Sequence, residues 1–206
     1  MAEIVRRSPN PARRNEQVHD AILDAAAALL KEGEYASVTI DAIAIRAGAG
    51  RQTIYRWWSS KAAIFMEVYN RVAQEVLGEL GGVDTGSLRG DLQQLLRGLF
   101  KLLTTTIAGK AVRGMIAEAQ SSPAAAQVLI HDFMQERWRF SQTIYNNAIA
   151  RGEIDPKFDL STFIDLTGGV LIIRLLIEHT PLSDSFVEQV VEVAVSGMVR
   201  RDEKPK

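Results

Sequence analysis

The 206-residue chain contains no cysteine, so it can form no disulfide framework, no thiolate metal site and no thiol nucleophile. Histidine is almost as scarce: His19, His131 and His179 are scattered without metal-ligand spacing, and neither a G-x-S-x-G motif nor a phosphate-binding glycine loop occurs. Enzyme chemistry therefore finds no foothold, and neither a metal nor another cofactor is expected. Excess charge of one sign is also missing. With 24 basic and 25 acidic side chains and a net charge of -1, the chain is no polycation that coats nucleic acid by bulk charge, although a local basic face remains possible. The N-terminal MAEIVRRSPNPARRNE lacks the apolar core of an export signal. The most apolar run, GGVLIIRLLI at 168–177, is interrupted by Arg174 and falls short of the roughly 20 residues of a membrane span. A cytoplasmic protein without a membrane partner is expected.

What is present is a core-forming apolar fraction of 47%. Apolar residues recur at three- and four-residue spacing and no stretch sustains a period of two, which predicts an all-α fold of about nine helices. A first helix over about 14–32 carries Val18, Ile22, Ala25, Ala26 and Leu29 on one stripe and stops at Gly33. A short second helix starts at Thr39, a good N-cap, places Asp41 in its first turn and ends at Gly48. A third, near 51–58, turns Ile54 and Trp58 inward. Ser59 or Ser60 caps a fourth, striped by Ile64, Phe65, Val68, Val72 and Val76, which stops in GGVDTGS at 81–87. Longer helices come next, over about 87–106 and 107–120. Another runs over 123–152 with Leu129, Phe133, Phe140, Ile144 and Ala148 on one stripe; Asp159 caps the next, which reaches His179, and the last covers 184–200.

Charge is distributed unevenly along this pattern. Residues 1–61 hold nine basic and seven acidic groups, whereas 62–206 hold fifteen and eighteen. The first fourteen residues place Arg6, Arg7, Arg13 and Arg14 against Glu3 alone, with Pro9 and Pro11 discouraging helix, so 1–13 reads as a flexible basic arm. It is either a solvated tail or an arm that touches a phosphate backbone or minor groove.

Two short helices joined by a tight glycine-containing turn, TIDAIAIRAGAGRQTIYRWW at 39–58, have the sequence form of a helix-turn-helix. Ile40, Ile43, Ala44, Ala47 and Ile54 supply a small rigid platform. The outward set on the second helix suits a DNA groove: Arg51 for guanine edges, Gln52 for adenine or a phosphate, Thr53 for a methyl or a backbone oxygen. Tyr55, Arg56, Trp57 and Lys61 suit phosphates at the rim. A helical hairpin whose Arg and Lys are simply solvated would share the short-helix pattern.

The wording of 39–64, TIDAIAIRAGAGRQTIYRWWSSKAAI, resembles the TetR family of transcriptional regulators, in which a Thr, an Ile-Ala, an Ala-Gly, a Thr-Ile/Leu-Tyr and a Ser-Lys recur in this order and spacing. The resemblance covers the first helix to about residue 76. It implies phosphate contact at Thr39, base contact at Arg51 and Gln52, backbone contact at Thr53 and Tyr55, an aromatic beside them at Trp57, and a phosphate-binding lysine at Lys61. Two positions depart from the pattern. Gly50 stands where many members cap the reading helix with a side chain, and Ala62 replaces a frequent Glu, so the cap of the fourth helix lacks its reciprocal partner.

A reading unit of about 60 residues can stand alone, so the remaining chain needs its own explanation. Helix-turn-helix readers act as dimers, and the last two helices are apolar nearly all round. Gly169, Ile172, Ile173, Leu176, Val187, Val190, Val191 and Ala194 are the candidate interface, unless both helices are buried within one subunit. Arg174 would then take Glu178 or Asp165 as its partner. The resemblance implies an effector pocket in this body, with Phe100, Met115, Phe133, Met134, Trp138, Gln142 and Phe163 as candidates; from spacing alone each is more often ordinary core. The expected organisation is a basic arm at 1–13, a DNA-binding domain at 14–62 with a linking fourth helix at 60–78, and an effector-binding and dimerisation domain at 63–206. The expected function is a homodimeric repressor released from a palindromic double-stranded DNA operator by a small-molecule effector. A helical protein-interaction module or a small all-helical enzyme without DNA binding is the alternative.

Overall fold

The computed structural model describes the backbone over residues 11–78 and 84–198, and the side chains of these except at 11–15, 136–139 and 198. Most of the expected arm thus lies outside the described residues. Its end does not: helix α1 spans Pro11–Glu32, with Pro11 in the first turn, where a missing N–H costs nothing. A single 3-10 turn at Tyr35–Ser37 leads to α2, Ile40–Ala47. Its start and stop are local chemistry. Thr39 Oγ1 accepts the Ala42 N–H at 3.1 Å, and Gly48 closes the helix at φ 62°, a left-handed conformation that favours glycine. Helix α3 occupies Arg51–Trp57 and α4 Lys61–Leu77, where Ser60 rather than Ser59 accepts the Ala63 N–H.

The body begins with α5, Leu88–Thr105, capped by Ser87, and α6, Ala108–Ala119. Helix α7 is continuous over 123–150, from Pro123–Val128 through a π-turn at Leu129–Phe133 into Met134–Ala150. The π-turn inserts one residue and rotates the remainder of the helix relative to its first turns. As a result Val128 and Phe133 are buried, whereas Leu129, expected on the stripe, is only half-buried. Helix α8 covers 160–177, capped by Asp159 and likewise carrying a π-turn, at Asp165–Gly169; α9 is Asp184–Met198. No strand occurs among the described residues.

The buried apolar residues form one cluster running from Ile22 in α1 to Ala194 in α9. Helix α4 is its axis. Ile64, Phe65, Met66, Val68, Tyr69, Ala73 and Leu77 are all buried, because α1 packs on one side of the helix and α5, α6 and α7 on the other.

A buried ionic clamp fixes the start of α5 to the end of α7. Asp91 is fully buried, and its Oδ1 accepts both the N–H and the hydroxyl of Thr85 at 2.7 Å. Arg151 reaches Asp91 at 2.8 Å, Asp84 at 2.6 Å and Glu153 at 2.6 Å, while Glu153 accepts the Leu88 N–H. The G-E-I-D-P turn at 152–156 exists to present these groups; Gly152 adopts φ 76° and Ile154 is buried.

Arg174 takes neither expected partner. It donates to the Pro181 carbonyl at 3.0 Å and lies 3.5 Å from the centre of the Phe186 ring, while Glu178 pairs with Arg113. The Leu160–Ile177 helix has a mean hydropathy of 1.8 over 18 residues, enough in length and composition for a minimal membrane span and more than the 168–177 run alone indicates. A third of it is buried inside the protein.

Removing one partner of a buried charge is expensive, whereas the assembled network is close to neutral. Arg151→Ala is therefore expected to cost about 3–5 kcal/mol in chemical denaturation. Arg151→Lys, a single ammonium that cannot span three carboxylates, should fall between that variant and wild type. Equal stability of all three would show that Asp91 is held by Thr85 alone.

Candidate nucleic-acid interface

The two-helix unit presents its reading face by burying the opposite one. Ile43, Ala44 and Ile54 are buried, and Trp58 closes the end of α3 with its indole N–H donating to Glu67 at 2.6 Å. Arg51, Gln52, Tyr55 and Arg56 are consequently exposed, and Thr53 and Trp57 are half-buried. Arg51 is already oriented: its Nε donates to Asp41 of α2 at 2.7 Å, which leaves the Nη edge of the guanidinium outward. Thr39, also exposed, spends an oxygen lone pair on the Ala42 N–H, and its hydroxyl proton stays available to donate. Gly50 caps α3 without a side-chain bond.

His19 of α1 braces the far end of α3. It stacks on Trp58 at 4.8 Å, meets Trp57 edge-on at 5.3 Å, and its Nε2 lies 3.0 Å from Glu67. Arg46 ties α2 to α1 through a two-point pair with Glu32 at 2.6 and 2.5 Å, which holds the Glu32 carboxyl below its usual range. The sequence pattern singled out neither link, because both join residues distant in the chain. It also passed over Ile45, which is 83% exposed one turn beyond Asp41.

Lys61, the expected phosphate contact, is also tied into the protein. Its ammonium donates to the Tyr35 carbonyl at 3.2 Å, sits 4.2 Å from the centre of the Tyr35 ring and 3.9 Å from Glu118 of α6. The Tyr35 hydroxyl donates to the same Glu118 at 2.5 Å. Burial first, then the bond to the Glu118 carboxylate, push the phenol well above the usual tyrosine range. Close approach depends on Gly114: a Cβ there would lie 2.0 Å from Tyr35 Cγ. Lys61, Tyr35 and Glu118 thus form a junction between the reading head and the body.

The body contains a cavity of about 100 Å³ between α4, α5, α7 and α8. None of the six expected pocket residues with described side chains lines it. Met115, Phe133 and Phe163 are core, Phe100 and Met134 are half-buried beside that core, Gln142 is exposed, and the Trp138 side chain lies outside the described residues. Apolar spacing selects core positions. A cavity is lined instead where large residues stop short, here at Ala73 and Gly168, and the buried polar Ser141 and Thr167 were the available signal.

The expected contact surface on the last two helices is divided by the fold. Val187, Val191 and Ala194 are buried within the subunit, because α9 lies on α5 and is stitched there by Arg89–Glu192 and Arg97–Glu188 pairs. Val187 and Val191 are therefore core, whereas Ala194 also borders the outer apolar groove beside Val190 and Val193. Ile173 and Leu176 are exposed, Ile172, Val190 and Gly169 are half-buried, and a Cβ on Gly169 would meet nothing within 4 Å. Leu166, Ile177 and Val193 extend this apolar face; Val193 is 73% exposed.

This arrangement, a helix-turn-helix head on an all-helical body, agrees with the sequence comparisons. Residues 22–68 match the family described as bacterial regulatory proteins, tetR family, and residues 83–194 match the tetracyclin repressor-like C-terminal domain. YdeS of Bacillus subtilis, an uncharacterized HTH-type transcriptional regulator, is 34% identical over 185 residues, covering 90% of this chain and 91% of that protein. The DNA-binding transcriptional repressor TetR of Mycobacteroides abscessus is 27% identical, covering 91% and 96%. Among solved structures, the TetR family transcription regulator SCO0332 superposes with a TM-score of 0.74 at 27% identity, covering 89% of this chain and 100% of that one. The flavonoid-responsive regulator FrrA shares the fold, with a TM-score of 0.61 at 21% identity over 88% and 95%. The chain belongs to the TetR family. It is a helix-turn-helix transcriptional regulator that binds DNA, and not an enzyme.

With Lys61 at the junction, Lys61→Ala and Glu118→Gln are each expected to destabilise the protein by about 1–2 kcal/mol, measured by thermal melting. Both should keep the wild-type dependence of DNA affinity on salt. A slope flatter by about one for Lys61→Ala would assign the ammonium to a phosphate instead.

Proposed function

We propose that this regulator is a homodimeric repressor that reads a palindromic operator through α3 and is released when a small molecule occupies the body. The observation that carries the reading is the division of α3: Ile54 and the adjoining Trp58 are anchored, while Arg51, Gln52, Tyr55 and Arg56 face outward. Arg51 and Gln52 contact bases, Arg51 with the Nη edge that Asp41 leaves free, a geometry suited to guanine O6 and N7. Thr39, Thr53, Tyr55, Arg56 and Trp57 contact the phosphate backbone. The head comprises residues 14–62, with α4 linking it to the effector-binding and dimerisation domain over 63–206. Repression is supported by the relative named as a DNA-binding transcriptional repressor. The protein acts in the cytoplasm, where its operator is.

Dimerisation uses the exposed apolar face of α8 and α9, with Ile173, Leu176, Ile177 and Val193 toward the second copy. The cavity is the effector site. Five of its wall residues, Tyr69, Asn70, Ala73, Gln74 and Leu77, belong to α4, whose first residue is Lys61 at the junction. A ligand that favours one position of α4 thereby favours one separation of the two reading helices, and affinity changes by the ligand's preference between states.

Selection of bound sequences from a random duplex pool tests the reading: an inverted repeat is expected, and no enrichment would refute it. On the selected duplex, Arg51→Ala should relax preference at one base pair per half-site by about 1–3 kcal/mol, and Asp41→Ala should relax the same position less. Equal loss on random DNA would remove Arg51 from base reading. Placing Ile173→Asp and Val193→Asp together should yield monomers by analytical ultracentrifugation and abolish binding to the full repeat; a dimer that persists locates the interface elsewhere.

A further inference from the structure

The chemistry of the cavity wall selects a class of occupant, and the inference rests on the reading of this cavity as the effector site. Leu77 of α4, Leu95, Leu96 and Leu99 of α5 and Phe140 of α7 make most of the surface apolar. No Asp, Glu, Lys, Arg or His lines it among the described residues. A charged molecule would lose its hydration on entry and meet no counter-charge from these residues, so ions are disfavoured against this wall.

Polar groups are few and unequal. Thr167 is buried, but its hydroxyl already donates to the Phe163 carbonyl at 2.7 Å, so it can only accept. Ser141 differs. Its side chain is 7% exposed, it lines the cavity, and it makes no hydrogen bond among the described residues. An unsatisfied buried hydroxyl is a standing cost that a ligand can remove. Half-buried Asn70 lies on the same wall, also without a hydrogen-bond partner among the described residues.

Size is limited too. An apolar cavity of about 150 Å³ holds benzene. This one measures about 100 Å³ and is bordered by the exposed Gln74, so a small ring fits with slight relaxation at that rim, whereas a fused polycycle does not. We infer that the cavity takes an uncharged, compact, largely apolar molecule on the scale of one six-membered ring, with a single hydroxyl-type group that pairs with Ser141.

Four probes of nearly equal size separate shape, charge and hydrogen bonding: toluene, phenol, benzoate and benzylammonium. Binding to the full-length protein is read by ligand-observed NMR titration and, separately, by anisotropy of the selected DNA duplex. Phenol should bind tightest, toluene weaker by roughly three- to tenfold, the loss of one neutral hydrogen bond, and the two ions at least roughly tenfold weaker than phenol. Ser141→Ala should erase the advantage of phenol over toluene without changing toluene affinity. Ala73→Phe, checked for its fold by circular dichroism and thermal melting, should fill the cavity and abolish binding of phenol and toluene alike. Benzoate or benzylammonium binding as well as phenol would overturn the uncharged class. Undiminished phenol affinity in the folded Ala73→Phe protein would place the molecule elsewhere and equally overturn it. Phenol that binds as expected but leaves the duplex bound upholds the occupant class and refutes only the effector role.

Discussion

Helix α4 has apolar partners on both sides, α1 of the head and α5, α6 and α7 of the body, and this shared burial constrains everything else. A close-packed helix cannot yield to one neighbour without disturbing the other. The Tyr35–Glu118 bond and the fit of Gly114 beneath the Tyr35 ring add a second attachment at the head end, so the head is held by α4 and by α6 together. At the other end the Arg151 clamp fixes α5 to α7. Between these two fixed ends lies the cavity, bounded by α4. A small volume change there has few directions in which to relax, and α4 is one of them.

The reading face works on weaker forces. Its Arg51–Asp41 pair is exposed on both sides and contributes little stability, but it removes rotamer freedom from the side chain proposed to meet a base. The absence of a side-chain cap at Gly50 has the opposite effect, leaving the first turn of α3 dependent on packing at Ile54 and Trp58. His19, stacked on Trp58 and facing Glu67, strengthens that packing from α1. The head therefore owes its rigidity to its hydrophobic underside, and charge supplies orientation and attraction.

Legibility in the sequence tracks physical range. The Thr39 cap, the Gly48 stop, the Pro123 start and the Asp159 cap each depend on residues within one turn, and the pattern located them all. Inward Ile54 and Trp58 were equally readable from helical spacing. The junction was not: Tyr35, whose carbonyl Lys61 meets, lies 26 residues away, and the Tyr35–Glu118 bond spans 83, so the motif around Lys61 carries no record of the tertiary contacts it makes. Val187, Val191 and Ala194 show the same limit. Periodicity marks them as apolar and buried, yet cannot say whether α5 or a second subunit does the burying. The π-turn in α7 shifts the stripe midway, and a constant helical period misplaces Leu129 accordingly.

The outer face of α8 remains to be accounted for by energy. By length and hydropathy the Leu160–Ile177 helix resembles a membrane span, but Phe163, Ile164, Thr167, Leu171 and Leu175 face the protein's own core. Only one strip, with Leu166, Ile173 and Ile177, is free, and Val193 of α9 enlarges it beyond what scattered surface apolar residues require. A second copy of the same strip matches it in chemistry and shape through two-fold symmetry. That symmetry transfers to the heads, since each is fixed to its own body through α4 and α6. In the proposed dimer the spacing of the two reading helices is then a property of the bodies, set by helices far from α3 in sequence, which gives a molecule that never touches DNA a route to how well the protein fits it.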